Sequence, residues 1–529
     1  MTGRRIRVTA AVAVTLGVTA AACSAPGGGS ENKGSADSVV IGVASEPDTL
    51  SPLLGYGKDG NSKLFDGLLA RNAEMELVPA LASALPEVSG DGLTYTYTLR
   101  EGVEFSDGEP LSPADVVFTY RTVLDKKTNS TARSELDAVE DVKAEGDDKV
   151  VFRLAYPYAP FAGRTVLPIV PEHIAGGQDP NTGSFNTEPV GTGPYVLSSW
   201  RKGEKLTFKA NPGYWGGAPE VKTLTMAVVQ DDDVRATRLR SGDLDGAILP
   251  PNLVATFKDD ATRKTYRATS YDNRTVTLPT TNKVTGDRAI RQALDVAVDR
   301  EAMVGKILDG AGRPAYGPVP TDDPWFAEDI ARTQDLGKAR SILDGAGWKA
   351  GAGGIRVNDG RRAGFTLLYP SGDKVRQDHA LAYASDAKKV GIDVTVESAT
   401  WEVIEPRMKD DAVLAGFGST GDPDFGLYTM LHSTLAGDGF NNMGRYDNPA
   451  VDRALDTGRR TQDPAARKAA YDTVQTELLK DPGYTFLTHI DHLYVLADRW
   501  GGLTTQTEPH EHGFASGPWW NVEDWKPKA

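Results

Sequence analysis

One continuous apolar run and two alternating polar and apolar runs predict strands in the first third of the chain. Residues 39–43 form a short, strongly apolar run that is typical of a buried strand. Residues 94–99 alternate, which places Tyr95 and Tyr97 on one face of a half-buried strand. Residues 149–154 predict a second strand of this kind.

Helical spacing and capping residues predict helices between and after these strands. Ser112 is placed to cap a helix that opens with Pro113, because a side-chain oxygen there can accept from the free amides of the first turn. Apolar residues recur at helical spacing over 287–310, where Asp299 can cap a second helix. Further helices are predicted over residues 335–345 and 448–479. This mixture of strands and helices predicts an α/β protein.

The first 22 residues predict a bacterial secretion signal. Residues 4–7 carry three arginines, and residues 8–18 are apolar but too few to span a bilayer. The small residues 20–22 then precede Cys23, an arrangement that resembles a lipobox, although a lipobox usually has Leu three residues before its cysteine. We therefore expect Cys23 to be diacylated. A secreted protein with an unmodified cysteine is the alternative, and both general secretory and twin-arginine export stay open.

The residues after Cys23 predict a flexible tether. Residues 23–37 contain no large apolar side chain, so burial cannot offset the entropy of ordering them. No later stretch approaches 18 consecutive apolar residues, so membrane attachment would rest on the lipid. The predicted location is the outer, extracytoplasmic face of the cell membrane.

Composition limits the possible partners. The chain of 529 residues has 58 Lys and Arg against 73 Asp and Glu, a net charge of −15, which argues against a nucleic-acid partner. Its one cysteine excludes a disulfide within the chain, so stability must come from buried apolar surface. The length suggests about three domains.

Several motifs resemble, in the same order, those of the solute-binding proteins of peptide and nickel ABC importers, known as family 5 or cluster C. Residues 101–118 combine a strand, an Asp-Gly turn and a capped helix, and residues 191–195 read Gly-Thr-Gly-Pro-Tyr. The other matching segments are residues 211–215, 291–301 and 317–320. The resemblance extends from about Ser38 to about Gly502.

The resemblance implies a two-lobed, periplasmic-binding-protein-like clamshell of type II, cluster C. Lobe 1 would comprise residues 38–283 and 484–529, with an extra subdomain near 76–190, and lobe 2 residues 284–483. The expected protein is a monomer without a cofactor. It would close on a small ligand, most simply an oligopeptide or dipeptide, and present it to an ABC permease and ATPase complex.

Two parts of the sequence are expected to contact the ligand. Glycine-rich backbone allows a ligand to approach closely, and aromatic side chains supply contact area. The candidates that these features select are Trp401, Phe417, Ser419, Thr420, Asp422 and Asp424. Tyr271 and Asn273, just before the crossing into lobe 2, are additional polar candidates.

Ser419 departs from the peptide-binding pattern of the family. The resemblance implies a carboxylate at this position, four residues before Pro423, that pairs with the ammonium terminus of a peptide. A serine cannot neutralise a buried cation, so Asp422 or Asp424 would have to replace it. An uncharged oligosaccharide and a nickel chelate therefore stay open as ligands, with His432 the histidine nearest to the expected site.

The histidines do not predict a metal site, and no catalytic residues are expected. His489 and His492 would lie on opposite faces of a strand over residues 484–496, and a second pair, His510 and His512, has no cysteine ligand to join it. The chain contains neither Gly-x-Ser-x-Gly nor His-Glu-x-x-His. A surface hydrolase that depends on Ser419 stays as an alternative of a different class.

Overall fold

The structure is a computed structural model that describes residues 37–419, 421–437, 439–510 and 516–528. The predicted signal peptide, Cys23, all but the last residue of the predicted tether, and Thr420 lie outside the described residues. Within those ranges, no helix has both the length and the apolar character needed to span a bilayer.

A seven-stranded mixed sheet forms the centre of lobe 1. Its strands, in spatial order, are Arg263–Ala268, His492–Ala497, Gly246–Ile248, Ser38–Val43, Thr223–Val228, Lys205–Ala210 and Tyr195–Arg201. Ser38–Val43 runs parallel to both of its neighbours, and its Val39 and Ile41 side chains are buried, which confirms the predicted strand at 39–43. Trp519 and Trp525 from the end of the chain pack into the same apolar core.

A four-stranded antiparallel sheet lies within the range predicted for the extra subdomain. Its strands, in spatial order, are Glu87–Val88, Thr94–Thr98, Lys149–Leu154 and Val139–Glu145. Tyr95 and Tyr97 are buried on one face, as predicted. The helix Pro113–Leu124 begins where expected, and the Asp115 carboxylate accepts a hydrogen bond from the Ser112 amide at 2.9 Å.

A six-stranded sheet forms the centre of lobe 2. Its strands, in spatial order, are Gly312–Pro314, Tyr484–Ile490, Asn273–Thr277, Ala412–Phe417, Gly364–Pro370 and Asp393–Ala399. Its helices are Arg288–Ala297, Arg300–Lys306, Leu336–Gly345, Lys374–Lys389, Trp401–Ile404, Pro423–Leu431, Pro449–Arg460 and Pro464–Lys480. The predicted cap is confirmed, because Asp299 accepts from the Ala302 amide at 3.0 Å.

Shorter elements complete the described part. Three more helices are Glu172–Ala175, Asp232–Ser241 and Pro251–Val254. Three small sheets join Leu69–Arg71 to Leu77–Pro79, Lys349–Ala350 to Arg356–Asn358 and Arg361–Arg362, and Trp500–Gly501 to Lys526–Pro527.

The chain crosses between the two large sheets twice, over residues 269–272 and at Asp491. The first crossing lies earlier in the chain than the predicted lobe boundary at 283/284, and the second lies later than the predicted boundary at 483/484. The predicted single strand 484–496 is therefore two strands in different sheets. Continuous apolar character hid this break, because each of the two strands is buried in its own lobe.

Buried charges join the two crossings. Asp272 is 0% exposed, and its carboxylate accepts hydrogen bonds from Arg274 Nη1 at 2.6 Å, His492 Nε2 at 3.2 Å and His510 Nδ1 at 2.8 Å. The other ring nitrogen of His492 forms a hydrogen bond with the buried Glu508 carboxylate. Because both ring nitrogens face carboxylates, both must donate, and the imidazole is therefore protonated.

The pKa values of these groups follow from their neighbours. Burial alone would lower the pKa of His492, but Glu508 and Asp272 raise it well above its ordinary value. Burial alone would raise the pKa of Asp272, but Arg274 and His510 hold it well below its ordinary value. The cluster is thus an ionised network, which requires each member to keep its partners.

Asp491 links the lobes at the second crossing. Its side chain is 1% exposed, and it accepts from Arg267 Nε at 2.6 Å and from Arg313 Nη1 at 3.3 Å. Arg267 belongs to the lobe-1 sheet and Arg313 to the lobe-2 sheet. One carboxylate thus holds a strand of each lobe beside the hinge.

We expect His492→Gln to lower the free energy of unfolding by about 3 kcal/mol, because two buried carboxylates lose their shared cation. The folded pKa of His492 is raised, so its contribution is fully present below the unfolded pKa near 6.5 and is lost as pH rises through the folded value. Thermal unfolding of both proteins across pH 6 to 10 should show their difference shrinking toward alkaline pH.

The matched control is His173→Gln. His173 forms a hydrogen bond with Asp107 at 2.8 Å on the surface, and 37% of its side chain is exposed. This substitution should therefore change the free energy of unfolding little. Equal effects of the two substitutions, or a difference that grows with rising pH, would contradict the ionised cluster.

Candidate ligand-binding site

A cavity with about 440 Å³ of empty space, partly open to solvent, lies in lobe 2 beside the first crossing. We refer to it as the lobe-2 cavity. Five predicted site residues line it, namely Tyr271, Asn273, Phe417, Ser419 and Asp422. The strand Ala412–Phe417 ends at the cavity, and the helix Pro423–Leu431 starts beside it. The structure therefore brings most of the predicted site together.

Asp422 has two structural roles at this cavity. It caps the helix Pro423–Leu431 by accepting from the Asp424 amide at 3.0 Å. Its two carboxylate oxygens also accept from Arg467 at 2.7 and 2.8 Å. Its charge is therefore already neutralised by a guanidinium within lobe 2.

Two other residues that line the lobe-2 cavity present hydrogen-bond acceptors. Asn273 is 1% exposed, and its buried Oδ1 has no hydrogen-bond partner among the described residues. Asp323 lines the same cavity and accepts from the Trp325 amide at 2.7 Å and from the Tyr271 hydroxyl. Within the described ranges, Asp323 forms no salt bridge. These oxygens can accept from a donor group of a ligand.

Asp323 was not among the predicted site residues. It follows the Gly-Pro-Val-Pro motif at residues 317–320 by three positions, and that motif was interpreted only as support for the resemblance. An acidic residue next to a rigid, proline-rich turn was the available signal. Its position in the cavity depends on the contact with Tyr271, which lies far away in the sequence.

Asp424, a predicted contact residue, does not line the lobe-2 cavity. The residue is 0% exposed, and its carboxylate accepts from Arg459 Nε at 2.9 Å and from the Tyr158 hydroxyl at 2.7 Å. Tyr158 belongs to lobe 1, whereas Asp424 and Arg459 belong to lobe 2. The carboxylate therefore joins the lobes and is not available to a ligand in this conformation.

Trp401 begins a short helix, as predicted, but it does not line the lobe-2 cavity. Its indole is 37% exposed and meets the ring of Phe440 edge to face at 5.5 Å. His432 is also outside the cavity, stacked on Tyr428 at 4.5 Å. Contact of Trp401 with a ligand stays a prediction, and so does that of Thr420.

The described ranges contain no group of three or more His, Cys, Asp or Glu side chains that could hold a metal ion. His489 and His492 lie in different sheets, and His492 is occupied by Asp272 and Glu508.

A second cavity, the lobe-1 cavity, is lined by residues of lobe 1 and has about 1270 Å³ of empty space, part of which is open to solvent. Its walls include Asp59, Asp66, Arg71 and Gln506. Gly421 of the lobe-2 cavity closely approaches Arg71, since a Cβ built on this glycine would lie 2.4 Å from Arg71 Nη1. The two cavities therefore meet where Arg71 faces Gly421.

Direct contacts between the lobes surround this meeting point. The Arg164 guanidinium of lobe 1 lies 3.7 Å from the centre of the Phe425 ring of lobe 2. The Ala159 amide donates to the Arg459 carbonyl at 3.1 Å. Two sheets joined by a double crossing, closed over facing cavities, define the class of two-lobed binding proteins.

Comparison with known proteins identifies the family. Residues 76–438 match the model of the bacterial extracellular solute-binding proteins, family 5. Protein XP55 of Streptomyces lividans is 72% identical over 521 residues, which cover 96% of each chain. The chain belongs to solute-binding protein family 5 of ABC importers. It is therefore a substrate-binding protein and not an enzyme, which removes the hydrolase alternative.

Two solved structures share the fold. NikZ from Campylobacter jejuni, in complex with Ni(L-His), is 29% identical with a TM-score of 0.87 and covers 93% of this chain and 100% of its own. The oligopeptide-binding protein AppA from Bacillus subtilis, in complex with a nonapeptide, is 27% identical with a TM-score of 0.81, covering 93% and 99%. The predicted two-lobed clamshell is thus confirmed.

We expect Asp424→Asn to lower the free energy of unfolding by about 3 kcal/mol, because it leaves the buried Arg459 guanidinium without its counter-charge. Urea denaturation measures the change. Asp456→Asn is the control, since this carboxylate is 41% exposed and 3.8 Å from His432, and its loss should cost at most about 0.5 kcal/mol. Equal losses would show that Asp424 is not an essential buried partner.

Proposed function

We propose that the protein captures an oligopeptide or dipeptide outside the cytoplasm and delivers it to an ABC permease and ATPase complex. The observation that carries the peptide assignment is the acceptor wall of the lobe-2 cavity, formed by Asn273 Oδ1 and the Asp323 carboxylate. A peptide has an ammonium terminus and amide donors, and both need acceptors of this kind.

Asp323 can fulfil the role that Ser419 cannot. Both residues line the same cavity, and an ammonium group placed between them would find a carboxylate on one side and a hydroxyl on the other. Phe417 adds an aromatic wall that tolerates different side chains. The departure at Ser419 is therefore compatible with a peptide ligand.

Closure of the lobes would be coupled to the presence of ligand. Residues of both lobes meet where Gly421 faces Arg71, so a ligand at this point touches both lobes only in the closed form. A ligand that makes such contacts shifts the population toward the closed state by its differential affinity. The closed form is then the one presented to the permease.

A nickel chelate is the second candidate, because NikZ, solved in complex with Ni(L-His), shares the fold over the whole of its length. An amino-acid chelate would also bring donors and carboxylates to the cavity. An uncharged oligosaccharide is the third candidate, and it would leave the Asp323 charge without a partner.

The first experiment is to denature the purified protein and identify by mass spectrometry what it releases. The proposed function predicts peptides, whereas nickel with a chelator or a neutral oligosaccharide would replace it with one of the other candidates. A protein that neither carries a small molecule nor takes one up from peptide, Ni(L-His) or oligosaccharide pools would contradict ligand capture altogether.

We expect Asp323→Asn to weaken peptide binding roughly 10- to 100-fold, because a hydrogen bond between charged groups is lost. Isothermal titration calorimetry with a released peptide measures this change. The neighbouring Asp322→Asn is the control: Asp322 is 59% exposed, 3.3 Å from Arg313, and does not line the cavity. If the Asp323 variant binds peptide as tightly as wild type, Asp323 does not bind the ammonium group of the ligand.

The membrane anchor is proposed from the sequence around Cys23. A diacylated cysteine followed by about 14 flexible residues would hold the protein within roughly 20 Å of the membrane. This short distance raises its local concentration at the permease, to which it would bind as a monomer.

We expect Cys23→Ser to move the protein from the membrane fraction to the soluble extracytoplasmic fraction, because its lipid acceptor is lost. Immunoblotting after fractionation, together with the intact mass of the wild type, provides the measurement. Continued membrane association of the variant, or a wild-type mass without acyl chains, would refute the lipid.

A further inference from the structure

Arg71 is a half-buried cation at the boundary between the two cavities. It ends the strand Leu69–Arg71, and its Nη1 donates to the Met75 carbonyl at 3.0 Å. A Cβ on Gly421 would lie 2.4 Å from Nη1, and one on Gly163 would lie 3.1 Å from Nη2. The guanidinium is thus held between a glycine of each lobe, where larger side chains would displace it.

The charges around Arg71 do not balance. Lys58 lies 3.1 Å from Asp59 and 2.7 Å from Glu135, and Arg164 lies 2.6 Å from the same Glu135. Together with Arg71, this group has three cations and two anions. No carboxylate of the described residues forms a salt bridge with Arg71, so this half-buried positive charge has no directly bonded counter-ion.

The two acids at the start of the lobe-2 helix Pro423–Leu431 form their salt bridges with other arginines and not with Arg71. Asp422 is bidentate with Arg467, and Asp424 is paired with Arg459. Burial lowers the pKa of Arg71 from its ordinary value, although Asp59 and Asp422 oppose this effect. The closed protein therefore holds a half-buried guanidinium without a directly paired carboxylate, which an anionic group of a ligand would stabilise.

We propose that Arg71 binds a carboxylate of the ligand. This inference rests on the proposed function, and it adds the chemistry of the second end of the ligand. A guanidinium offers paired N–H donors that match the two oxygens of a carboxylate. The Arg71 guanidinium belongs to lobe 1 but approaches the Gly421 backbone of lobe 2, so a bound carboxylate would be enclosed only when the lobes close.

The position of Arg71 restricts the ligand class. Asp323 and Asn273 receive a donor group in the lobe-2 cavity, while Arg71 receives the carboxylate at the border of the lobe-1 cavity. The ligand therefore carries both kinds of group. Peptides with a free carboxyl terminus and amino-acid chelates of nickel meet this requirement, whereas neutral oligosaccharides do not.

The test compares four probes on the full-length protein: a pool of random di- to octapeptides, the same pool with amidated carboxyl termini, Ni(II) with L-histidine, and neutral malto-oligosaccharides. Native mass spectrometry and calorimetry measure retention and affinity. The variants are Arg71→Met, which keeps the length but loses the charge, and Arg71→Lys, which keeps the charge but loses the fork.

The expected result is that wild type retains free-carboxylate peptides, or Ni(L-His), at least tenfold more tightly than the amidated and neutral probes. Arg71→Met should bind roughly 10- to 100-fold more weakly and lose the preference for the free carboxylate, and Arg71→Lys should fall between the two. Equal retention of amidated peptides, or retention of malto-oligosaccharides, would overturn the inference while leaving ligand capture intact. Retention of no probe would overturn both.

Thermal unfolding without ligand provides a readout that does not depend on the probes. Arg71→Met should leave the melting temperature unchanged or raise it, because it removes an uncompensated charge. Arg164→Met is the matched control, since Arg164 is paired with Glu135, and its loss should lower the melting temperature. A decrease for Arg71→Met as large as that of the control would identify Arg71 as a structural partner and overturn the inference.

Discussion

The ionised cluster at the double crossing is the constraint on which the two-lobed architecture depends. Asp272 lies between the two sheets and receives hydrogen bonds from Arg274 in lobe 2 and from His492 in lobe 1. Because each charge is buried, none can lose its partners without a large penalty. The two crossings are thereby fixed at one point, whereas the facing surfaces of the lobes are joined by separate contacts such as that of Tyr158 with Asp424.

The arrangement of charge around the cavities follows a consistent logic. In lobe 2, Asp422 and Asp424 are each neutralised by an arginine of the same lobe, so neither requires a ligand. Among the described residues, in contrast, the Asp323 carboxylate accepts from a hydroxyl and an amide, and Arg71 forms no salt bridge with a carboxylate. The proposed recognition therefore uses one charged group from each lobe, Asp323 and Arg71, for which the described residues supply no salt-bridge partner.

The sequence predicted the local elements well because their determinants are local. Alternation placed Tyr95 and Tyr97 on a buried face, and Asp299 caps the helix that its position indicated. It could not locate the crossings, because buried strands of different sheets are adjacent in a single apolar run. Nor could the sequence show that Asp424 is buried between the lobes while Asp323 lines a cavity. Asp424 is placed by its contact with Tyr158 and Asp323 by its contact with Tyr271, and both contacts join distant segments.

Lobe 2 is inserted between two neighbouring strands of lobe 1. Arg263–Ala268 and His492–Ala497 are antiparallel partners, and every strand of the six-stranded sheet lies between them in the sequence. During synthesis from the amino terminus, all strands of lobe 2 are therefore made while lobe 1 still lacks one of its inner strands. A nascent chain that stops before residue 492 has every strand of the inserted lobe but an incomplete lobe-1 sheet, so the outer lobe can be completed only after the inner one.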